Sequence, residues 1–435
     1  MQILLLSLNY APEPTGFAPH TTALAEHLVA AGHDVTVVTG FPFAPRWKRS
    51  SEYRGELIRR ETVAGVRIAR VTHFIPRSPS RSVQRVFMEG TFALSAGLAL
   101  LPCMIGRKRF DTVVYVGAQP AIAWLGRVVA AVCRAPFIVK ITDMAAQAAL
   151  DVGIVQSQFL ARVLERIEFS AYCSAGSAIV LCDAFRESLA DHGFPRDAVH
   201  VIPDSIDLEA LHPGSSGSLF RGRHGIGPHE FVVLYSGSLG LKQGLFEVVD
   251  AATILSRECS NVKWILVGEG ETQQALASRI ESARAGNRVV LLPLQPAAEL
   301  NEMFAAADIL LLSQLRSVKD TVIPSKLLTY MAAGRPILAA VNAASQAAAI
   351  VRDAGCGVLV EPECPPALAD AVRHLMATPA ECMTMAQRGR AYAERHFNRT
   401  SILAAQRRVI EQLVGRQNAR TDVQRHGVNV DGTRG

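Results

Sequence analysis

Short, uninterrupted apolar runs separated by segments of helical period constrain this chain more than any other feature. ILLLSL (residues 3–8), DVTVVT (34–39), TVVYV (112–116), FIVKI (137–141), SAIVL (177–181) and HVIP (200–203) form a first series. FVVLY (231–235), VKWILVG (262–268), VVLL (289–292), DILLLS (308–313), PILAA (336–340) and GVLV (357–360) form a second. A strand that is apolar on every residue has to be covered on both faces, and helices alternating with such strands make the sheet parallel. The fold class is therefore α/β, with two Rossmann-like parallel sheets. At 435 residues the chain is long enough for two to three domains. The Gly-, Ser- and Pro-rich stretch 212–230, HPGSSGSLFRGRHGIGPHE, reads as a linker between the series. The boundaries that follow are a first domain at 1–211, a second at 231–395, a C-terminal helix at 396–414 and a polar, disordered tail at 415–435.

With 49% apolar and 19% charged residues, the chain is a packed globular protein. Its eight cysteines form no CxxC pair and have no histidine cluster beside them, which argues against a zinc site and for reduced thiols. The first ten residues lack a basic leader and read as a strand, so a cytoplasmic location is expected. Charge is uneven: residues 1–110 hold 14 Lys and Arg against 7 Asp and Glu, while the remaining 325 hold 31 against 32. Most of the excess lies between Arg46 and Arg85 and at residues 107–109, and between them runs TFALSAGLALLPCMIG (91–106) without a charge. Sixteen residues fall short of the ~20 that span a bilayer. The segment 91–106 with its basic flanks reads as a helix lying in an anionic membrane surface, which makes 46–109 a membrane-facing region; the alternative is a buried helix flanked by solvated arginines. No nucleic-acid module pattern accompanies the basic residues, and nucleic acid is not an expected partner.

In parallel sheets ligands gather at the carboxyl ends of the strands, so the loops there carry the chemistry. After FVVLY comes SGSLGLKQG, a glycine-rich turn with Lys242 ahead of a helical segment. Such a turn lets backbone N–H groups approach an anion, and the helix dipole and the lysine add positive charge, which suits a diphosphate. The same turn also serves to pack a helix closely on a sheet, with no ligand. Other strand ends offer Gly16 in NYAPEPTG, Asp143 in KITDMAAQ, the Pro203–Asp207 corner, Gly268-Glu269-Gly270, and Ser325-Lys326 in VIPSKLLTYMAAGRP. Ser325 and Asp143 can each be read as plain helix caps.

NYxPExTG, the segment around Asp143, YSGxxGxKQG, PSK and AxGxP occur here in that order, and this set resembles the family-4 retaining glycosyltransferases of the GT-B fold. The likeness covers about residues 1–413 and is nearest the branch that builds colanic-acid-type exopolysaccharide. It implies two Rossmann-like domains facing across a cleft, with the C-terminal helix crossing back to the first domain. It further implies a UDP- or GDP-linked sugar as donor, no cofactor and no metal, and a polyprenyl-diphosphate-linked saccharide as acceptor at the inner face of the plasma membrane. Lys242, Lys326 and Asp143 are the implied catalytic residues. Gly16, Gly237, Gly240, Glu269, Ser325 and Thr329 are the implied donor-binding residues, with Gly240 keeping the turn open. In this reading the acceptor hydroxyl attacks from the leaving-group face and a phosphate oxygen takes its proton.

The chain departs from the pattern at several points. The family's Glu-x7-Glu pair is replaced by Thr321 and Thr329, with Asp320 adjacent; a threonine cannot accept two ribose hydroxyls as a carboxylate does. The usual second cation of the glycine turn is missing, since residues 238–241 read SLGL, and Lys326 is the natural compensator. Lys140 stands where the branch often has histidine. Two other functions remain open at this point: a nucleotide-sugar epimerase, which needs acid/base groups that the matched positions lack, and a catalytically inactive membrane-associated scaffold.

Overall fold

The computed structural model describes residues 1–14, 16–44, 46–77, 82–106, 110–144, 158–318 and 323–427. The chain divides into two compact units: Met1–Pro203 with Thr400–Gly435, and Asp204–Arg399.

The first unit runs β1 (Gln2–Leu6), α1 (Ala18–Ala30), β2 (Asp34–Gly40), β3 (Ile58–Val63), β4 (Val66–Val71), α2 (Ser82–Ile105), β5 (Thr112–Gly117) and α3 (Pro120–Cys133). It continues with β6 (Phe137–Ile141), α4 (Gln158–Tyr172), β7 (Ser177–Val180), α5 (Asp183–Asp191) and β8 (Val199–Val201). Its sheet has the order β3-β4-β2-β1-β5-β6-β7-β8, parallel except for the β3–β4 pair. The central strands β1, β5 and β6 are buried along nearly their whole length, as a sheet covered on both faces requires.

The β3–β4 hairpin was not legible among the arginines of 46–85, and it changes their meaning. Arg59 pairs with Glu52 and Glu56, and Arg67 with Asp34 at 2.6 Å. Arg70, only 3% exposed, pairs with Glu61 and donates to the Ala11 carbonyl. These three cations are tied to the sheet edge, while Arg46, Lys48, Arg54, Arg60, Arg77 and Arg85 stay exposed; residues 107–109 lie outside the described residues. The acid of NYAPEPTG is likewise architectural: buried Glu13 accepts from Asn9 Nδ2 and from the Phe43 and Ala44 amides, tying the β1 loop to the β2 loop.

The second unit runs α6 (Ser218–Arg223), β9 (Phe231–Ser236), α7 (Leu245–Leu255), β10 (Val262–Val267), α8 (Gln273–Ser282), β11 (Val289–Leu292), α9 (Leu300–Ala305) and β12 (Ile309–Ser313). It ends with α10 (Ser325–Ala332), β13 (Ile337–Ala340), α11 (Gln346–Ala354), β14 (Gly357–Val360), α12 (Pro365–Ala377) and α13 (Pro379–His396). The sheet order is β11-β10-β9-β12-β13-β14, all parallel. Alternate side chains of β9 feed opposite cores, Val232 and Leu234 on one face and Val233 and Tyr235 on the other.

The expected linker 212–230 belongs to this second unit. Phe220 and Ile226 sit in its core, and Arg221 bonds the Ala306 carbonyl and pairs with Asp308. The boundary accordingly falls at Pro203 and not at 211: Leu208 and Leu211 join the same core, and Arg390 of α13 binds both their carbonyls. The final helix, α14 (Arg399–Gly427), returns to the first unit, where Ile402, Leu403, Val409 and Ile410 pack with β-strand residues of that core. It continues through most of the tail expected to be disordered; residues 428–435 lie outside the described set.

A second acid, the half-buried Glu89, lies on the inward side of α2. Burial, reinforced by Glu168 and opposed by Arg85, pushes the Glu89 carboxyl from 4.5 up to about 8. Glu168 is itself buried and accepts from the Tyr172 hydroxyl at 3.1 Å. Because the folded chain keeps the Glu89 proton that the unfolded chain loses above the ordinary carboxylate range, this contribution to stability is full below about pH 4.5 and is lost as pH rises through about 8. Glu89→Gln should therefore be more stable than the native chain at about pH 9, with a smaller gap at about pH 5, measured by urea unfolding at the two pH values.

Candidate functional site

The densest grouping of expected site residues lies in the second unit, at the carboxyl ends of β9 and β10 and the start of α10. Two loops run together there in backbone contact. The Gly237 amide donates to the Val267 carbonyl at 3.0 Å, and the Leu239 amide to Glu269 at 2.9 Å. Thr272 returns both its amide and its hydroxyl to the Leu239 carbonyl, the hydroxyl at 2.7 Å. The approach is close enough to dictate glycine. A methyl group on Gly268 would lie 1.8 Å from the Gly237 carbonyl oxygen, and one on Gly270 would lie 2.2 Å from that of Leu239. Gly268-Glu269-Gly270 thus supports the β9 turn, while the half-buried Glu269 contributes its carbonyl to it.

Lys326 is brought to this turn from α10. Its Nζ donates to the Tyr235 hydroxyl at 2.8 Å and to Gln243 Oε1, and stands 4.4 Å from the centre of the Tyr235 ring. The Tyr235 hydroxyl in turn donates to the Ser238 carbonyl at 2.6 Å, inside the turn. A methyl group at Gly237 would come within 3.4 Å of Lys326 Nζ and 3.3 Å of its Cε, so the glycine leaves room for the ammonium. Burial holds the Tyr235 phenol well above its ordinary range, which keeps it a neutral hydrogen-bond partner for the lysine. Tyr330, one turn further along α10, fixes the helix to the strand end: its hydroxyl takes the Ser236 amide at 2.9 Å and reaches the Ser236 carbonyl at 3.2 Å. A cation in the first turn of a helix works against the helix dipole. Here the side chain carries it away from the axis onto Tyr235 and Gln243.

Other expectations are adjusted by the local backbone. Lys242 does not open a helix: it is exposed in the 3-10 turn Leu241–Gln243, and α7 starts after Gly244, a left-handed residue with φ +54°. Gly240 has φ −101°, and a side chain there would find ordinary contact, so the turn does not need glycine at that position. Ser325 is the first residue of α10 and not its cap; Pro324 occupies the cap position. The Thr329 hydroxyl donates back to the Ser325 carbonyl of its own helix at 3.2 Å. Asp320 and Thr321 lie outside the described residues.

Asp143 and Gly16 belong to the first unit. Asp143 is exposed just beyond β6 and accepts from the Met144 amide at 2.8 Å; the helix that it was expected to cap falls outside the described residues. Gly16 has φ +66°, which accounts for glycine there. Sequence reasoning passed over Tyr235, Gln243 and Tyr330. Gln243 had a signal, since it adjoins Lys242 in KQG; the tyrosines looked like ordinary strand and helix core.

Comparison with known proteins agrees with this architecture. Residues 15–204 match the glycosyl transferase 4-like domain, and residues 218–392 match the glycosyl transferases group 1. WcaI of Escherichia coli K12, assigned as a colanic acid biosynthesis glycosyl transferase, is 26% identical over 411 residues, 93% of this chain and 98% of that protein. Among solved structures, sucrose-phosphate synthase from Thermosynechococcus elongatus superposes with a TM-score of 0.70 at 18% identity, covering 95% of this chain and 99% of that one. Anabaena HepE in complex with UDP and glucose superposes at 0.68 and 18% identity, covering 95% and 100%. Gly270→Ala should loosen the paired loops and cost about 1–3 kcal/mol, read as a lower urea midpoint at unchanged slope.

Proposed function

Since the chain belongs to the glycosyltransferases, with a 4-like domain followed by a group 1 domain on the GT-B fold, we propose that it moves a sugar from a nucleoside diphosphate donor to a lipid-linked saccharide. The process would be bacterial polysaccharide assembly at the inner face of the plasma membrane. The observation that carries the donor side is the seating of Lys326 Nζ beside Gly237, on Tyr235 and Gln243, at the carboxyl end of β9. That is the end of a parallel strand where ligands gather. The likeness to HepE, whose structure holds UDP and glucose, supports a nucleotide sugar; the likeness to WcaI supports a polysaccharide role.

In the proposed reaction the bond between the anomeric carbon and the β-phosphate oxygen breaks, and negative charge grows on the departing nucleoside diphosphate. Lys326 and Lys242 stabilise that charge, with the glycine turn supplying backbone N–H groups, so that the lysines do the work a metal ion does elsewhere. The acceptor hydroxyl forms the new bond on the same face, giving retention, and its proton passes to a phosphate oxygen of the leaving group. Ser325 at the start of α10 and Glu269 beside the turn complete the donor pocket, and Thr329 gives one hydrogen bond where relatives with a carboxylate give two. Asp143 acts as a catalytic residue of the first unit, and Gly16 lets the first loop approach the donor diphosphate and the acceptor.

Lys326→Ala should lower kcat/KM by about 10²–10³, the scale of losing one preorganised charge-stabilising donor, and Lys242→Ala by a smaller factor. The assay is transfer from radiolabelled UDP- and GDP-sugars to a polyprenyl-diphosphate saccharide in membranes. Unchanged rates in both variants would remove the lysines from the diphosphate site. Absence of any transfer together with absence of UDP and GDP binding would favour the inactive scaffold.

A further inference from the structure

Helix α2 is apolar on two opposite sides. Its core side is the stripe Met88, Phe92, Ala96 and Leu100, each no more than 5% exposed. On the opposite side Val83, Phe87, Leu94, Leu98, Leu101 and Ile105 are all exposed, Leu94 to 67% and Ile105 to 79%. At ~100° per residue these six fall within one sector of roughly 60°. The segment Val83–Ile105 has the length of a membrane-crossing helix, and its most apolar 18 residues have that kind of mean hydropathy, 1.5, yet only 22% of those 18 are buried in the protein. A monomeric protein rarely leaves such a stripe open to water.

The neighbouring helix continues the pattern. α3 packs on α2 with Leu125 seated against Gly97, and it exposes Val128 and Val132 about equally, 48% and 50%. Charge completes it: α2 and α3 contain Arg85 and Arg127, and Arg134 caps α3, against one carboxylate, Glu89. Glu89 lies on the core side and holds its proton up to about pH 8. The exposed surface of the two helices is thus apolar with Arg127 and Arg134 exposed on α3, the chemistry of an anionic lipid leaflet.

We propose that α2 lies in the plane of an anionic bilayer with its Leu94–Leu98–Leu101 stripe among the acyl chains, α3 adding Val128 and Val132, and Arg127 and Arg134 meeting the headgroups. The helix does not cross. Phe92 and Leu100 are buried in the first unit, and crossing would have to extract them together with Glu89. The inference rests on the lipid-linked acceptor of the reading above, and it places the first unit, not the second, against the membrane.

Flotation of the full chain with phosphatidylcholine vesicles, with and without phosphatidylglycerol, tests the inference without donor or acceptor. Nucleotide binding is measured separately, so a failed transferase assignment and a failed membrane assignment give different results. The native chain should float with the anionic vesicles and be released by alkaline carbonate. Leu94→Asp/Leu98→Asp, and independently Val128→Asp/Val132→Asp, should lower partitioning by about tenfold or more while circular dichroism and nucleotide binding stay native. Equal flotation by native chain and variants would overturn the proposal, and so would retention after carbonate. A native chain that stays off vesicles but dimerises in light scattering, with the dimer lost in Leu94→Asp/Leu98→Asp, would assign the stripe to a second copy instead.

Discussion

The contact on which the candidate site depends is the backbone-on-backbone approach of the two loops that follow β9 and β10. Gly268 and Gly270 let those loops touch, and the touching loops present the 237–239 turn to the ammonium of Lys326. Everything else at the site is arranged around that cation. Tyr235 supplies a hydroxyl and a ring face, Gln243 supplies an amide oxygen, and Tyr330 pins the helix that delivers the lysine. A lysine ammonium is a compact and strongly hydrated charge on a long flexible stem, so holding it in advance removes much of the entropy of ordering it against a ligand. This gives a physical reason why a turn without its customary second cation can still offer concentrated positive charge.

The first unit works from a different constraint. Its arginines look from a distance like a basic surface, but the β3–β4 hairpin consumes several of them in ion pairs at the sheet edge. Arg46, Lys48, Arg54, Arg60, Arg77 and Arg85 stay exposed, and beside them the unit leaves apolar surface open on the outer stripe of α2 and the adjoining edge of α3. The membrane attachment proposed for this unit rests on that hydrophobic area, and attachment by apolar area is less sensitive to salt than attachment by a polybasic patch.

Much of this was legible in the sequence, because parallel sheets write themselves as apolar runs. Strands β1, β2, β5, β6 and β9 were readable in ILLLSL, DVTVVT, TVVYV, FIVKI and FVVLY, and the return of the C-terminal helix followed from the family resemblance. The β3–β4 hairpin was not readable, since its exposed edge carries RRET and RIAR and has no apolar run. The segment 212–230 misled for the opposite reason: its glycines and serines look like a linker, while Phe220 and Ile226, spaced for burial, anchor it in a core. At the site Lys326 and Gly237 could be named from motifs. Their meeting depends on Tyr235, and a tyrosine at the end of an apolar strand gives no sign that its hydroxyl and ring face will hold a lysine.

The most direct test of the account is a crystal structure of the protein with a nucleoside diphosphate, UDP or GDP, bound. The account predicts diphosphate oxygens within hydrogen-bond distance of Lys326 Nζ and of backbone N–H groups in the 237–242 turn, with Tyr235 and Gln243 still holding the lysine. A nucleotide bound away from the end of β9, or one whose phosphates touch neither Lys326 nor Lys242, would contradict it.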